Sequence, residues 1–116
     1  TLFAGAVARW TSGQADADYA QPWPAFRAAV LDAWDTLLRE AARDGETWVV
    51  SSGGPIGAIV AQLAGAPPQR GFDFAWPLVN TSVSRIHVGR GGARLVTYNA
   101  WPHLDTAADA ALVTHR

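Results

Sequence analysis

The apolar residues at the start of the chain recur at helical spacing. Leu2, Phe3, Ala6, Val7 and Trp10 fall three to four positions apart, and Gly13 ends the run, which predicts a short amphipathic helix. Gln14 to Gln21 is polar and predicts a loop. Pro22 or Pro24 then opens the longest helix. Its expected buried stripe is Phe26, Val30, Ala33, Trp34, Leu37, Leu38 and Ala41. Arg27, Asp32, Asp35, Arg39 and Arg43 fall on the other face, a solvated surface with one i,i+4 pair, Asp35–Arg39. Asp44-Gly45 stops the helix.

The pattern then changes. Thr47 to Val50 is a short run of β-branched and aromatic residues, the composition of a strand covered on both faces. Gly53 and Gly54 permit a sharp turn, and Pro55 suits the first position of a helix expected from Pro55 to Leu63. Ile56, Ile59, Val60 and Leu63 form its core face. Ala58, Ala61 and Ala64 allow close approach to a sheet, Gly65 is a C′ residue, and Pro67-Pro68 bars continuation. Gly71 to Pro77 reads as a loop whose Phe72, Phe74 and Trp76 serve as core beneath it rather than as a pocket lining. Ser82 to Val88 and Arg94 to Tyr98 read as two strands joined by Gly89-Arg90-Gly91-Gly92, the clearest hairpin signal in the chain. These glycines do not make a phosphate loop, because no helix follows them. Thr106 to Val113 predicts a weak terminal helix. Helix, helix, strand, helix, strand, strand is an α/β order.

Composition narrows the function classes. At 116 residues the chain is one domain or part of one, and 49% hydrophobic residues with six tryptophans can build a core. A net charge of −1 argues against non-specific nucleic-acid or membrane binding. Without cysteine there is no disulfide frame or thiolate metal site. No apolar run approaches the roughly 18 residues of a membrane span and no signal peptide is visible, so a cytoplasmic location is the default expectation. The chain lacks methionine and starts at Thr1, which suggests an N-terminus that was cut, processed or left out. All nine basic residues are arginine, a mark of genome composition rather than of function.

The candidate chemistry centres on Ser51-Ser52-Gly53-Gly54. A strand end, a glycine turn and a helix start together leave unpaired N–H groups pointing outward, which favours a phosphate or carboxylate. The plain alternative is an ordinary strand–helix turn with no ligand. A serine nucleophile elbow fails in both frames. It needs glycine two residues before the serine, and Val49 and Val50 stand there. Asp16 and Asp18 read as solvated loop acids rather than as a metal pair. His87 and His115 read as surface residues.

Four segments in order carry a family resemblance. Val49-Val50-Ser51-Ser52-Gly53-Gly54-Pro55-Ile56 resembles the strand–Ser-His-Gly-Gly–helix motif of the histidine phosphatase, or phosphoglycerate mutase-like, superfamily, with Ser52 at the histidine position. Asn80-Thr81-Ser82-Val83-Ser84-Arg85 resembles that family's Asn-x-Ser-Val strand. Tyr98-Asn99 followed by His103-Leu104 resembles its closing aromatic-Asn…His-Leu segment. Tyr19 to Leu38 resembles the long helix before the motif strand. The family's nucleophile lies in an Arg-His-Gly motif, which this chain lacks. None of His87, His103 and His115 precedes a glycine, and Glu40 and Glu46 match no general acid.

The resemblance implies a phosphoglycerate mutase-like three-layer α/β sandwich. Residues 1–116 are then a single partial domain, the C-terminal portion, without its Arg-His-Gly strand. The edge of Thr47 to Ser51 would be exposed, and a homodimer is expected to cover it or the first helix. The implied partner is a small phosphorylated or anionic ligand, with no nucleic acid, membrane, metal or cofactor. The implied phosphate contacts are Ser52, Gly53 and Gly54, with Ser51, Arg85 and His103 in support and no catalytic residue in this chain. Serine donates a hydrogen bond but carries no charge, so the phosphate pocket is expected to be weakened; Gly57 stands where the family often has an arginine. His103 is expected to order the C-terminal backbone, and Asn80 and Asn99 to satisfy backbone groups at strand ends. The implied function is phosphoryl hydrolysis or transfer on a small phosphorylated metabolite by an intact protein. The competing reading is a non-catalytic relative that binds an anionic ligand or a protein partner.

Overall fold

The computed structural model describes residues 1–41 and 43–115. Three α-helices, α1 (Leu2–Thr11), α2 (Trp23–Glu40) and α3 (Gly53–Leu63), precede an antiparallel pair of strands, β1 (Val83–Gly89) and β2 (Gly92–Ala100). Short 3-10 turns occupy Asp16–Asp18, Pro68–Phe74, Pro102–Leu104 and Ala110–Leu112. Helices and a small sheet in this order are consistent with part of an α/β sandwich.

Local signals shape the helices. The Thr1 hydroxyl accepts from the Ala4 N–H to cap α1. Gly13 takes φ +75° just past its end. Helix α3 closes in a Schellman motif: Ala66 N–H bonds to the Ala61 carbonyl and Gly65 N–H to the Gln62 carbonyl, with Gly65 at φ +71°. Helix α2 starts at Trp23, and this tryptophan, only 2% exposed, is its one buried residue. The expected stripe of Phe26, Val30, Trp34, Leu37, Leu38 and Ala41 is half-buried, and Ala33 is exposed. The Asp35–Arg39 pair does not form; Arg39 instead donates to the Thr36 hydroxyl. Among the described residues the ion pairs are Arg9–Asp18 and Arg70–Asp73, so Asp18 is not simply solvated.

The core is the seam where α3 lies on the turn Pro68–Phe74. Val60, Ala58 and Ala61 of α3 are buried with Trp23, Val7, Leu78 and Val79. Two glycines set this distance. A Cβ on Gly57 would come within 2.5 Å of the Gly71 carbonyl oxygen, and one on Gly71 within 3.0 Å of the Trp23 ring. Trp10, Trp23, Phe26, Phe72 and Trp76 form one chain of ring contacts around the seam. Residues 71–74 belong to the 3-10 turn rather than to a loop, and the expected aromatic core is only partly formed: Phe72 and Phe74 are half-buried and Trp76 is 42% exposed.

Two expectations are corrected. Thr47 to Ser51 is not a buried strand: it pairs with nothing, and Trp48 and Val50 are 72% and 96% exposed. A strand satisfies its backbone only through neighbours, and the two-stranded sheet consists of β1 and β2. Thr106 to Val113 holds a single 3-10 turn, Ala110–Leu112, not a helix. The molecule is a slab of 43 × 41 × 21 Å. Its radius of gyration of 15.6 Å exceeds the roughly 13 Å of a closed domain of this length.

Candidate functional site

Ser52 is the N-cap of α3, with φ −101° and ψ 172° and no capping bond from its side chain. Its carbonyl accepts the Ile56 N–H at 3.2 Å, the first bond of the helix. Pro55 is therefore the third helical residue rather than the first as expected, still within the first turn, where N–H groups have no intrahelical partner. The donors left at this end belong to Gly53 and Gly54. Ser51 and Ser52, which precede those donors in the chain, are exposed residues.

The two glycines also fit the helix to what lies beneath. A Cβ on Gly54 would stand 3.4 Å from the Phe26 ring, and one on Gly53 would face Ala75 and Leu78 at 3.7–4.0 Å. The N-terminus of α3 thus lies against the Phe26 and Phe72 rings, Leu78 and the Ala75 backbone. The first turn carries no acidic side chain to compete with an anion.

Arg85 and His103 come together elsewhere. With Trp48, Val83, Thr97, Ala100 and Pro102 they line an open depression of about 360 Å³ at the base of the hairpin. Ser51 to Gly54 do not line it. The structure thus unites two of the supporting residues with Trp48, four positions before Ser52, and not with the glycine turn itself.

The hairpin base is held by side chains that meet backbone. Asn99 accepts from the Val79 N–H at 2.9 Å and donates to the Pro77 carbonyl at 2.8 Å. Ser84 Oγ accepts the Asn99 N–H at 3.0 Å. Tyr98 donates its hydroxyl to the Phe74 carbonyl, and burial pushes its phenol above the usual range. Asn80 bonds to Thr114 through both its N–H and its amide side chain. His103 Nε2 lies 2.9 Å from Thr81 Oγ1, a contact between two segments flanking the hairpin.

Thr81 is the residue that sequence reasoning missed. It sits at φ +70°, a strained position for a β-branched side chain, at a cost of about 1–3 kcal/mol. Threonine gives no signal for this conformation. Asn99, at φ +55°, is of a type that tolerates it.

Residues 2–100 match the family model of the histidine phosphatase superfamily (branch 1). The chain belongs to this superfamily. No curated protein and no solved structure matches it. Membership in the histidine phosphatase superfamily supports function of the phosphatase or mutase kind at a coarse level. Among the described residues no group of histidine and carboxylate side chains could hold a metal ion, and no helix is long and apolar enough to cross a membrane.

Proposed function

We propose that residues 1–116 are the C-terminal portion of a histidine phosphatase-like domain that binds the phosphate of a small phosphorylated metabolite at Ser52, Gly53 and Gly54. The observation that supports this most directly is the uncommitted start of α3. The Ser52 side chain does not cap its own helix, and Gly53 and Gly54 follow it at the first two helical positions, whose N–H groups have no partner within the helix. Oriented N–H groups at a helix start attract anions. The phosphohistidine that would carry the phosphoryl group is not among these residues, so the chain alone binds without turnover. Arg85 and His103 line a separate depression at the base of the hairpin, so this reading gives the phosphate contacts to Ser52, Gly53 and Gly54 alone.

Three experiments test this reading. Inorganic phosphate titrated into the chain should shift the backbone amide signals of Gly53, Gly54 and Ile56. Unmoved signals at saturating phosphate would remove the anion site. For the activity, the reading frame upstream of Thr1 is sequenced and its full product assayed with p-nitrophenyl phosphate. An Arg-His-Gly strand with turnover supports the enzyme. A full product without that motif favours the second reading, a non-catalytic anion binder, which the neutral Ser52 at the histidine position also favours. Ser52→His in the full product separates the two: an enzyme gains activity, and a protein without a nucleophile gains none.

A further inference from the structure

We propose that the tip of the β1–β2 hairpin is a second anion site, one that binds the phosphate groups of a small polyphosphorylated ligand independently of the start of α3. His87, Arg90 and Arg94, with Gly89, Gly91, Gly92 and Ala93, line an open depression of about 280 Å³ there. His87 and Arg94 are cross-strand partners, so their side chains rise from the same face of the pair. The imidazole is turned towards the tip. A Cβ on Gly89 would lie 3.3 Å from its Cε1 and 3.7 Å from its Nδ1, so glycine at this position leaves the ring its seat.

The charge distribution singles out the same place. The stretch from Val83 to Ala100 holds Arg85, Arg90 and Arg94 and none of the ten acidic residues. The hairpin therefore carries +3, while the remainder of a chain of net charge −1 carries −4. Four arginines outside the hairpin are bonded to side chains, Arg9 to Asp18, Arg27 to Gln62, Arg39 to Thr36 and Arg70 to Asp73. Among the described residues no carboxylate pairs with an arginine of the hairpin. Such a separation of charge draws anions to the cationic end.

Guanidinium groups match phosphate oxygens in paired, planar fashion, which selects phosphate over a halide. The depression is at the small end of ligand clefts, so it suits a compact anion. A nucleic acid would need a basic surface continuing beyond the hairpin, where the chain is acidic. Asn99 and Ser84 anchor the opposite end of the hairpin. At about 3.3 Å per residue, the seven residues of β1 put the tip roughly 20 Å from that anchored end.

The test titrates inorganic pyrophosphate into the full chain and follows backbone amide signals. Signals from Gly89 to Arg94 should shift. The R90Q/R94Q variant should weaken that binding at least tenfold with an unchanged melting temperature, since both side chains are exposed. R39Q/R43Q, an equal charge change elsewhere, should leave it within twofold. R90Q alone, a substitution in the turn, gives the same reading if the double variant fails to fold. The proposal is overturned if the hairpin signals stay still, if only Gly53 to Ile56 respond, or if R39Q/R43Q weakens binding as much as R90Q/R94Q.

Discussion

Helix α3 and the segment Thr47–Val50 are neighbours in sequence and opposites in environment. Both are strongly apolar. Helix α3 buries Ala58, Val60 and Ala61 against the turn Pro68–Phe74, with Gly57 and Gly71 bringing backbones together. Trp48, Val49 and Val50 stand in solvent. A helix closes its own hydrogen bonds and needs a partner on one face only. An extended segment needs a ladder on its edges before its side chains can be covered on two faces. Apolar content alone therefore does not decide burial; what the backbone requires of its neighbours does.

The packed region can be broken first. Trp23→Ala removes the ring that fills the seam and the indole bond to the Pro68 carbonyl at 3.1 Å. It should lower unfolding free energy by about 3–5 kcal/mol in urea denaturation. Gly57→Ala should cost about 1–3 kcal/mol by the same measurement, because the new methyl meets rigid backbone at Gly71. A variant as stable as the parent would show that the seam yields to an added methyl at Gly57.

Tyr98 joins the hairpin to the packed region, and it sharpens the comparison through pH. Burial raises the phenol above its usual value, so the folded state holds the proton more firmly than the unfolded one. This contribution is complete below about pH 10 and is lost as pH rises through the folded-state value. Tyr98→Phe should lose about 0.5–1.5 kcal/mol near neutrality and show no such alkaline decline. A parallel decline in both proteins would place its cause elsewhere.

The exposed segment should respond least in stability. Val50→Lys is expected to change unfolding free energy by less than about 0.5 kcal/mol. It should nevertheless raise the concentration at which light scattering detects association, because a charge on an unpaired apolar edge opposes edge-to-edge pairing. A large loss of stability would mean that Val50 is covered in solution.

Much of the architecture was legible because its causes are local. The periodicity of Leu2, Phe3, Ala6, Val7 and Trp10 announced α1, Gly65 announced the end of α3, and Gly89 to Gly92 announced the hairpin. The candidate site was legible as a motif, Ser51 to Gly54. The meeting of Arg85, His103 and Trp48 was not, because those residues are brought together by folding across more than fifty positions. Nor was the strained Thr81, since a β-branched residue at positive φ is held there by its surroundings against its own preference. Trp23 was absent from the expected stripe because it lies at the first position of its helix, before the periodic pattern begins.

By itself the sequence determined that three helices precede a hairpin, where the chain reverses at Gly89–Gly92, and to which superfamily it belongs. These follow from backbone preferences, caps and motifs that act over a few residues. The tertiary structure decided that Gly57 and Gly71 would be tight, that His87 and Arg94 would share a face with Arg90 beside them, and that Thr47–Val50 would stand unpaired. Each of these depends on which distant backbone comes within bonding distance, and no local pattern of side chains encodes that distance.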